Sequence, residues 1–427
     1  MKQSGIDWIG EIPDDWKTRQ IRYLFSLRDE RNYKPLSEVN LISVYTDKGV
    51  LQHSDIEQTT GNKAQNADGY KYVYKNDLVV NIILCWMGAL GISDFDGVTS
   101  PAYDVYAPKD LNTILPKYYH YLFRTPQFNG KCYTEGRGIM QMRWRTYSSE
   151  FKSIKVPLPP KVTQERIAEY LDSKCAQIDS IIEESKKSIE EYKAWKQSVI
   201  FEAVTGKNLN CKKKDSGIEW IGEVPEDWEV VKIKQFAKTS SGATPLRDKE
   251  KEYFSEANIK WVRTLDLNDG VVYDTSEKIT DVALKNSSCC IMPINTVCVA
   301  MYGGSGTIGK CGILGTDATT NQAICSISCN ENLMNPFFLL YLLKAFRKEW
   351  MIFAVGTRKD PNINQDIVMN FKVPLPPLTS QLSLITFLDS KCAQIDSLIA
   401  EKESLIEDLT EYKKSLIFEV VTGKKQV

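Results

Sequence analysis

The ten residues LDSKCAQIDS stand at Leu171–Ser180 and again, letter for letter, at Leu388–Ser397. Three further segments recur in the same order. SGIDWIGEIPDDW (Ser4–Trp16) returns as SGIEWIGEVPEDW (Ser216–Trp228), and KVPLPP at Lys155–Pro160 returns at Lys372–Pro377. SVIFEAVTGK, ending at Lys207, returns as SLIFEVVTGK, ending at Lys424. Repeats in matching order mean that one structural plan is used twice in the chain. Between the Trp-rich and Pro-rich landmarks, however, the halves barely resemble each other. Two variable blocks (1–160 and 216–377) therefore alternate with two repeated ones (161–207 and 378–427), joined by a polar linker at 208–215 that reads as a surface loop.

Each repeated block reads as one long helix. Capping signals follow the prolines, Thr163 with Gln164 and Glu165 in the first copy and Ser380 with Gln381 in the second. Gly206 and Gly423 mark the ends. Apolar residues recur at alternating spacings of four and three: Leu171, Cys175, Ile178, Ile182, Ile189, Tyr192, Val199 and Ala203, matched by Leu388, Cys392, Ile395, Ile399, Ile406, Leu409, Leu416 and Val420. This heptad stripe is interrupted by Ser185, Lys196, Lys402 and Lys413. About 40 residues at 1.5 Å each give a rod of roughly 60 Å that cannot bury its stripe alone. The other copy is the evident partner, and a pseudo-twofold relation between the halves makes the pair an antiparallel coiled coil.

The variable blocks read as mixed α/β. Strand-like runs (LVVNIIL, TVCVAMY) alternate with Gly, Asn and Asp turns. A short helix with proline in its first turn follows in each block (PKYYHYLFRT, NPFFLLYLLKAF). The expected fold is therefore α/β in the α+β sense, with two mixed domains separated by the long helices.

Composition narrows the function by exclusion. A formal net charge of −1 favours no class of partner. No apolar run reaches the length of a membrane span, so a cytoplasmic protein is expected. Eleven cysteines in largely apolar settings read as reduced, buried thiols. With two histidines and no CxxC pair, a metal site is not expected.

Segments that imitate catalytic motifs are better read otherwise. GGSGTIGKC (Gly303–Cys311) approaches a phosphate-binding loop, but Cys311 stands where a hydroxyl is needed and no helix pattern follows. NPFF (Asn335–Phe338) resembles the tetrapeptide of amino-methyltransferases, yet reads as a helix start. EYK at Glu191–Lys193 and Glu411–Lys413 lies on the rods, where the side chains cannot converge with a distant Asp. Neither His53 nor His120 has triad partners nearby in sequence. No catalytic residue is expected.

Basic, amide and aromatic side chains do gather near the ends of both variable blocks. GRGIMQMRWRTY supplies Arg137, Gln141, Arg143 and Arg145 beside Trp144; GTRKDPNINQD supplies Arg358, Lys359, Asn362, Asn364 and Gln365. Lys48, Lys63 and Gln65 join the first set, and Arg247, Arg263, Lys310 and Gln322 the second. Arginine pairs bidentately with guanine, and asparagine or glutamine with adenine. Lysine suits phosphate anchoring.

At this point the chain resembles the specificity subunits of Type I restriction–modification systems over nearly its whole length. GIDWIGEIPDDW and GIEWIGEVPEDW carry the resemblance, together with VPLPP leading into each helix. In the second block SGATPLRD, IKWVRTLDLNDG and GGSGTIGKCGI…TTNQA are similar to recognition-domain segments. In the first, NDLVVNIILCWMGALGISDFDGVTSPAYDVY is similar to a different variety. PPKVTQERI and PPLTSQLSL depart from the family's usual PPLxEQ.

The resemblance implies two target-recognition domains, each reading half of a bipartite site in double-stranded DNA, with the helix pair as spacer. It implies two modification subunits bearing S-adenosylmethionine, and restriction/translocase subunits using ATP and magnesium. This chain would then be non-catalytic, hold no cofactor and have no membrane partner. Asp172, Lys174, Gln177 and Asp179, with Asp389, Lys391, Gln394 and Asp396, are expected to face outward and dock two copies of one partner. Rival readings are a coiled-coil adaptor without DNA readout and a self-contained methyltransferase or nuclease.

Overall fold

The computed structural model describes residues 1–55, 66–139, 144–303, 306–354 and 362–427. It is mixed α/β, with two long helices at Lys161–Thr205 and Leu378–Val421. The chain divides into two compact units, Met1–Lys186 with Glu403–Val427, and Lys187–Lys402. Both boundaries fall inside a long helix, so each unit contains a stretch of each.

In the first unit an antiparallel sheet orders the strands Phe25–Arg28, Tyr103–Pro108, Leu78–Asn81 and Leu90–Ile92. The apolar run LVVNIIL is a strand only as far as Asn81. The Asn81 side chain accepts from the N–H groups of Ile83 and Leu84, turning the chain where apolar content alone suggests continuation. Helices Pro116–Phe123 and Pro126–Glu135 both start on proline, and Thr125 caps the second by accepting from Phe128 N–H. Their buried faces bring Tyr118, Tyr119, Phe123 and Phe128 against Phe25, Tyr106 and Phe151. Strand Lys155–Leu158, part of the Pro-rich landmark, pairs with Lys17–Gln20 just after the Trp-rich one.

The same core takes in the helices. Ile167, Leu171, Cys175 and Ile178 are buried with Leu416, Val420 and Val421. Asp179 meets Lys413, while Thr163 and Ile167 lie beside Val420 and Gly423, so the two stretches run antiparallel. Gly423 adopts φ +72° and lies against Pro13 and Trp16, where a side chain would clash.

The second unit uses a five-stranded sheet in the order Ala237–Ser241, Ile324–Cys329, Val297–Ala300, Cys311–Leu314 and Val271–Val272, its last pair parallel. A three-stranded sheet orders Lys278–Ile279, Ile259–Val262 and Thr319–Thr320. Strand Lys372–Leu375 pairs with Glu229–Lys232. Ile200, Ala203 and Val204 share the core with Leu384, Leu388 and Cys392. Gly206, at φ +70°, lies on Pro225 and Trp228.

Two local expectations need correction. The helices begin at Lys161 and Leu378, before the expected caps, because the preceding proline carbonyls Pro160 and Pro377 already accept the first helical bonds. This frees Gln164, whose buried amide accepts from Leu115 N–H and donates to the carbonyls of Thr113 and Pro159. Gln381 does the same with Asn335, Leu333 and Pro376. The linker is also not all loop, since Lys213–Asp215 forms a strand against Glu223–Pro225.

Candidate nucleic-acid interface

In the first unit Lys48 sits exposed on the turn between strands Ile42–Tyr45 and Gly49–Gln52. Arg124, at the end of helix Pro116–Phe123, fixes this turn by donating to the carbonyls of Thr46, Asp47, Gly88 and Leu90. Arg137 and Arg145 bond to each other's backbone as an antiparallel bridge. The Arg137 guanidinium reaches Glu150 at 3.2 Å and lies over the Tyr147 ring. Arg145 is exposed and has no ion pair among the described residues. Trp144 stacks on Tyr133 at 4.9 Å and donates to its carbonyl. Tyr133 also meets Trp86, next to the turn that Arg124 holds. The structure thus brings Arg137 and Arg145 together, while Arg124 ties the turn that carries Lys48 to Gly88. Lys63, Gln65, Gln141 and Arg143 lie outside the described residues.

In the second unit Thr244 donates to Gln322, and Ser241 donates to Gln365 at 2.9 Å. Trp261 Nε1 donates to Ala243 O, and Arg247 lies over the rings of Phe254 and Trp261. Arg247 and Arg263 grip opposite oxygens of Glu277. Lys310 directly precedes strand Cys311–Leu314, and its carbonyl accepts from Ala300. Arg247 and Arg263 therefore meet on Glu277, while Gln322 and Gln365 are held by Thr244 and Ser241. Several side chains there are already engaged. Asn364 caps helix Gln365–Asn370, and Gln365 donates to Thr239. Asn362 is half-buried, while Arg358 and Lys359 lie outside the described residues.

The residues expected to dock a partner separate into two kinds. Asp172 accepts from Tyr121 Oη at 2.7 Å and pairs with Lys117; Asp389 accepts from Tyr341 Oη at 2.6 Å. Burial, reinforced by these carboxylates, pushes both phenols up. Asp179 and Asp396 are taken by Lys413 and Lys196. These four aspartates lie at least partly exposed, as expected of outward-facing residues, and each also has a partner within its own unit. Among the described residues, Lys174 with Gln177, and Lys391 with Gln394, bond only along their own helix.

The catalytic look-alikes dissolve locally. After Gly309 the chain enters strand Cys311–Leu314 rather than the helix a phosphate-binding loop requires. Asn335 is a helix cap. His120 is held neutral, its pKa lowered to about 4 by burial and then by Arg124 and Lys117, and Nδ1 accepts from Ile92 N–H. Burial pushes the Cys298, Cys311, Cys325 and Cys329 thiols up to about 12. All eleven cysteines are free, although Cys211 and Cys290 are exposed. Among the described residues no group of three metal-ligating side chains converges, and no helix is long and apolar enough to cross a membrane.

Sequence reasoning missed Arg124, Glu277, Tyr121 and Tyr341. Each acts on a partner distant in sequence, and an isolated Arg, Glu or Tyr carries no local signal of that.

Comparison with known proteins agrees with this framework. The family model for the Type I restriction modification DNA specificity domain matches residues 13–191 and 225–408, and the chain belongs to that family. It is 27% identical to the Type I restriction enzyme MjaVIII specificity subunit of Methanocaldococcus jannaschii, over 97% of this chain and 94% of that one. It is 26% identical to the EcoBI specificity subunit of Escherichia coli over 63% of this chain and 58% of that one. Among solved structures, a chain from a study of assembly and conformational transition of the type I R-M system superposes with a TM-score of 0.73 at 13% identity. That match covers 97% of this chain and all of the other. The HsdS subunit of Thermoanaerobacter tengcongensis gives 0.55, also at 13% identity, over 97% of this chain and 98% of that one.

Proposed function

We propose that this chain is the DNA sequence-specificity subunit of a Type I restriction–modification complex and performs no chemistry itself. One observation carries the reading beyond family membership. Two units that use the same helix, strand and glutamine contacts carry two unlike sets of Arg, Lys, Gln and aromatic side chains. A shared frame with different polar faces suits two recognition domains that read different half-sites.

In this reading the long helices form one antiparallel coiled coil that spaces the two half-sites. Support comes from the heptad stripe and from the antiparallel contact inside the first unit. Two modification subunits supply S-adenosylmethionine and methylate adenine, and restriction/translocase subunits supply ATP- and magnesium-dependent cleavage. A rod of roughly 60 Å spans at most about 17 base pairs at 3.4 Å each, so the unread gap is several base pairs.

Inserting four residues into each long helix tests the spacer role. The recognised gap lengthens or recognition is lost; an unchanged gap contradicts it. Incubating the purified chain with DNA, S-adenosylmethionine and magnesium tests the non-catalytic role, and no turnover is expected.

A further inference from the structure

Among the arginines that lie over aromatic rings while paired to a carboxylate, Arg28 of the first unit and Arg247 of the second differ in what they leave free. Arg28 lies 4.6 Å from the Tyr74 ring centroid and gives both Nε and a terminal nitrogen to the buried Asp77, at 2.8 and 3.2 Å. Its fork is consumed, and it is a brace. Arg247 lies 4.4 Å from the Phe254 centroid and 5.3 Å from that of Trp261, and gives a single bond, at 2.7 Å, to Glu277 Oε2. Its side chain is 48% exposed. Nη2 carries a second N–H, and Nε and Nη1 have no protein partner among the described residues, so one two-donor edge of the planar group, Nη2 with either Nη1 or Nε, remains for a ligand.

The groups that hold Arg247 are themselves fixed. Trp261 lies in strand Ile259–Val262, and its indole donates to Ala243 O. Glu277 immediately precedes the paired strand Lys278–Ile279, and its carbonyl accepts from Trp261 N–H and Thr275 Oγ1. The second oxygen of Glu277 is held by Arg263, which also donates to Ser276. Arg263 is the more enclosed partner, and its Nε is buried without a protein partner. Ring and carboxylate thus come from one small sheet, while Arg247 reaches them from a turn at Arg247–Lys249.

We propose that Arg247 is a guanine-reading side chain of the second unit, that Glu277 is the positioning residue that aims it, and that Arg263 is the counter-brace. This rests on the DNA-reading function proposed above. A phosphate contact needs only a cation on a flexible stem, which exposed lysines provide. A guanidinium held over aromatic rings, pinned through one N–H and with a two-donor edge free, matches the paired N7 and O6 acceptors of guanine in the major groove. Holding the fork before binding lowers the entropy of forming both bonds.

The test co-expresses the full chain with the modification subunits of its system and maps methyladenine across the host genome. Wild type, Arg247→Lys and Glu277→Gln are compared. Arg247→Lys keeps the charge and removes the fork. It is expected to lower discrimination at one guanine position by about tenfold or more, the scale of a lost bidentate pair, with the other positions retained. Glu277→Gln loosens the same position by a smaller factor. Thermal melting of both purified variants should match wild type. A motif unchanged in both variants overturns the inference, as does a uniform loss of methylation with no position more degenerate than the rest. If the wild-type map shows no motif at all, the DNA-reading function fails first and this assignment with it.

Discussion

Asp179 and Lys413, 234 positions apart in the chain, meet at 2.6 Å across the two helical stretches of the first unit. Lys196 and Asp396 make the same contact in the second, also at 2.6 Å. Both lysines stand where the heptad stripe is interrupted, and both aspartates belong to the duplicated LDSKCAQIDS. That identity therefore has a structural component. Leu171, Cys175 and Ile178 are buried, Asp172 holds Tyr121 and Asp179 holds Lys413. Leu388, Cys392, Ile395, Asp389 and Asp396 repeat each role.

A double-mutant cycle on Asp179 and Lys413 should give a small coupling. The side chains are 54% and 28% exposed, and such pairs contribute about 0.2–1 kcal/mol. Leu171→Ala or Leu388→Ala should cost about 2–5 kcal/mol, because each side chain is fully buried. Urea unfolding of the full chain checks both, and a salt-bridge coupling as large as the leucine effect would contradict this ranking.

Gln164→Ala and Gln381→Ala should each destabilise the chain by about 2–3 kcal/mol. Each removes three hydrogen bonds to backbone groups at the junction between a long helix and the loop before a short one. A similar loss at both positions is expected, since the contacts are the same. Thermal melting of each variant measures it.

His120 makes stability depend on pH. Its folded pKa lies near 4, below the ordinary 6.5, so the unfolded chain binds the proton more readily. The contribution is complete above pH 6.5 and is lost as pH falls towards 4, amounting to about 3 kcal/mol over that window. His120→Gln should flatten this part of the stability profile, as read by denaturation at pH 7 and pH 5.

The positions of the duplicated segment left without a cross-helix role are those to test for docking. Reversing charge at Lys174 and Lys391 together should weaken binding of the modification subunits while leaving the melting temperature unchanged. Pull-down of the co-expressed subunits reads the first, and unchanged affinity would refute docking through these lysines.

Much of the frame was legible because it is written in periodic or repeated terms. The heptads marked the long helices, prolines marked the starts of Pro116–Phe123 and Pro336–Ala345, and glycines marked the helix ends. What was not legible depends on partners far apart in sequence. The end of the strand at Asn81 depends on one side chain's choice of backbone donors. The use of Gln164 as a tertiary clasp could not be told from a capping role. The state of Arg247 and Arg263 depends on Glu277, which sequence patterns do not single out.

The central claim is that two unlike recognition faces on a common frame read two separate half-sites. Mapping methyladenine genome-wide with the wild-type chain, and with a chain whose 216–377 block is replaced by that of a relative, tests it directly. A two-part motif with a fixed unread gap is predicted, with only one part changed by the replacement. A single continuous motif, or a replacement that alters both parts together, would contradict it.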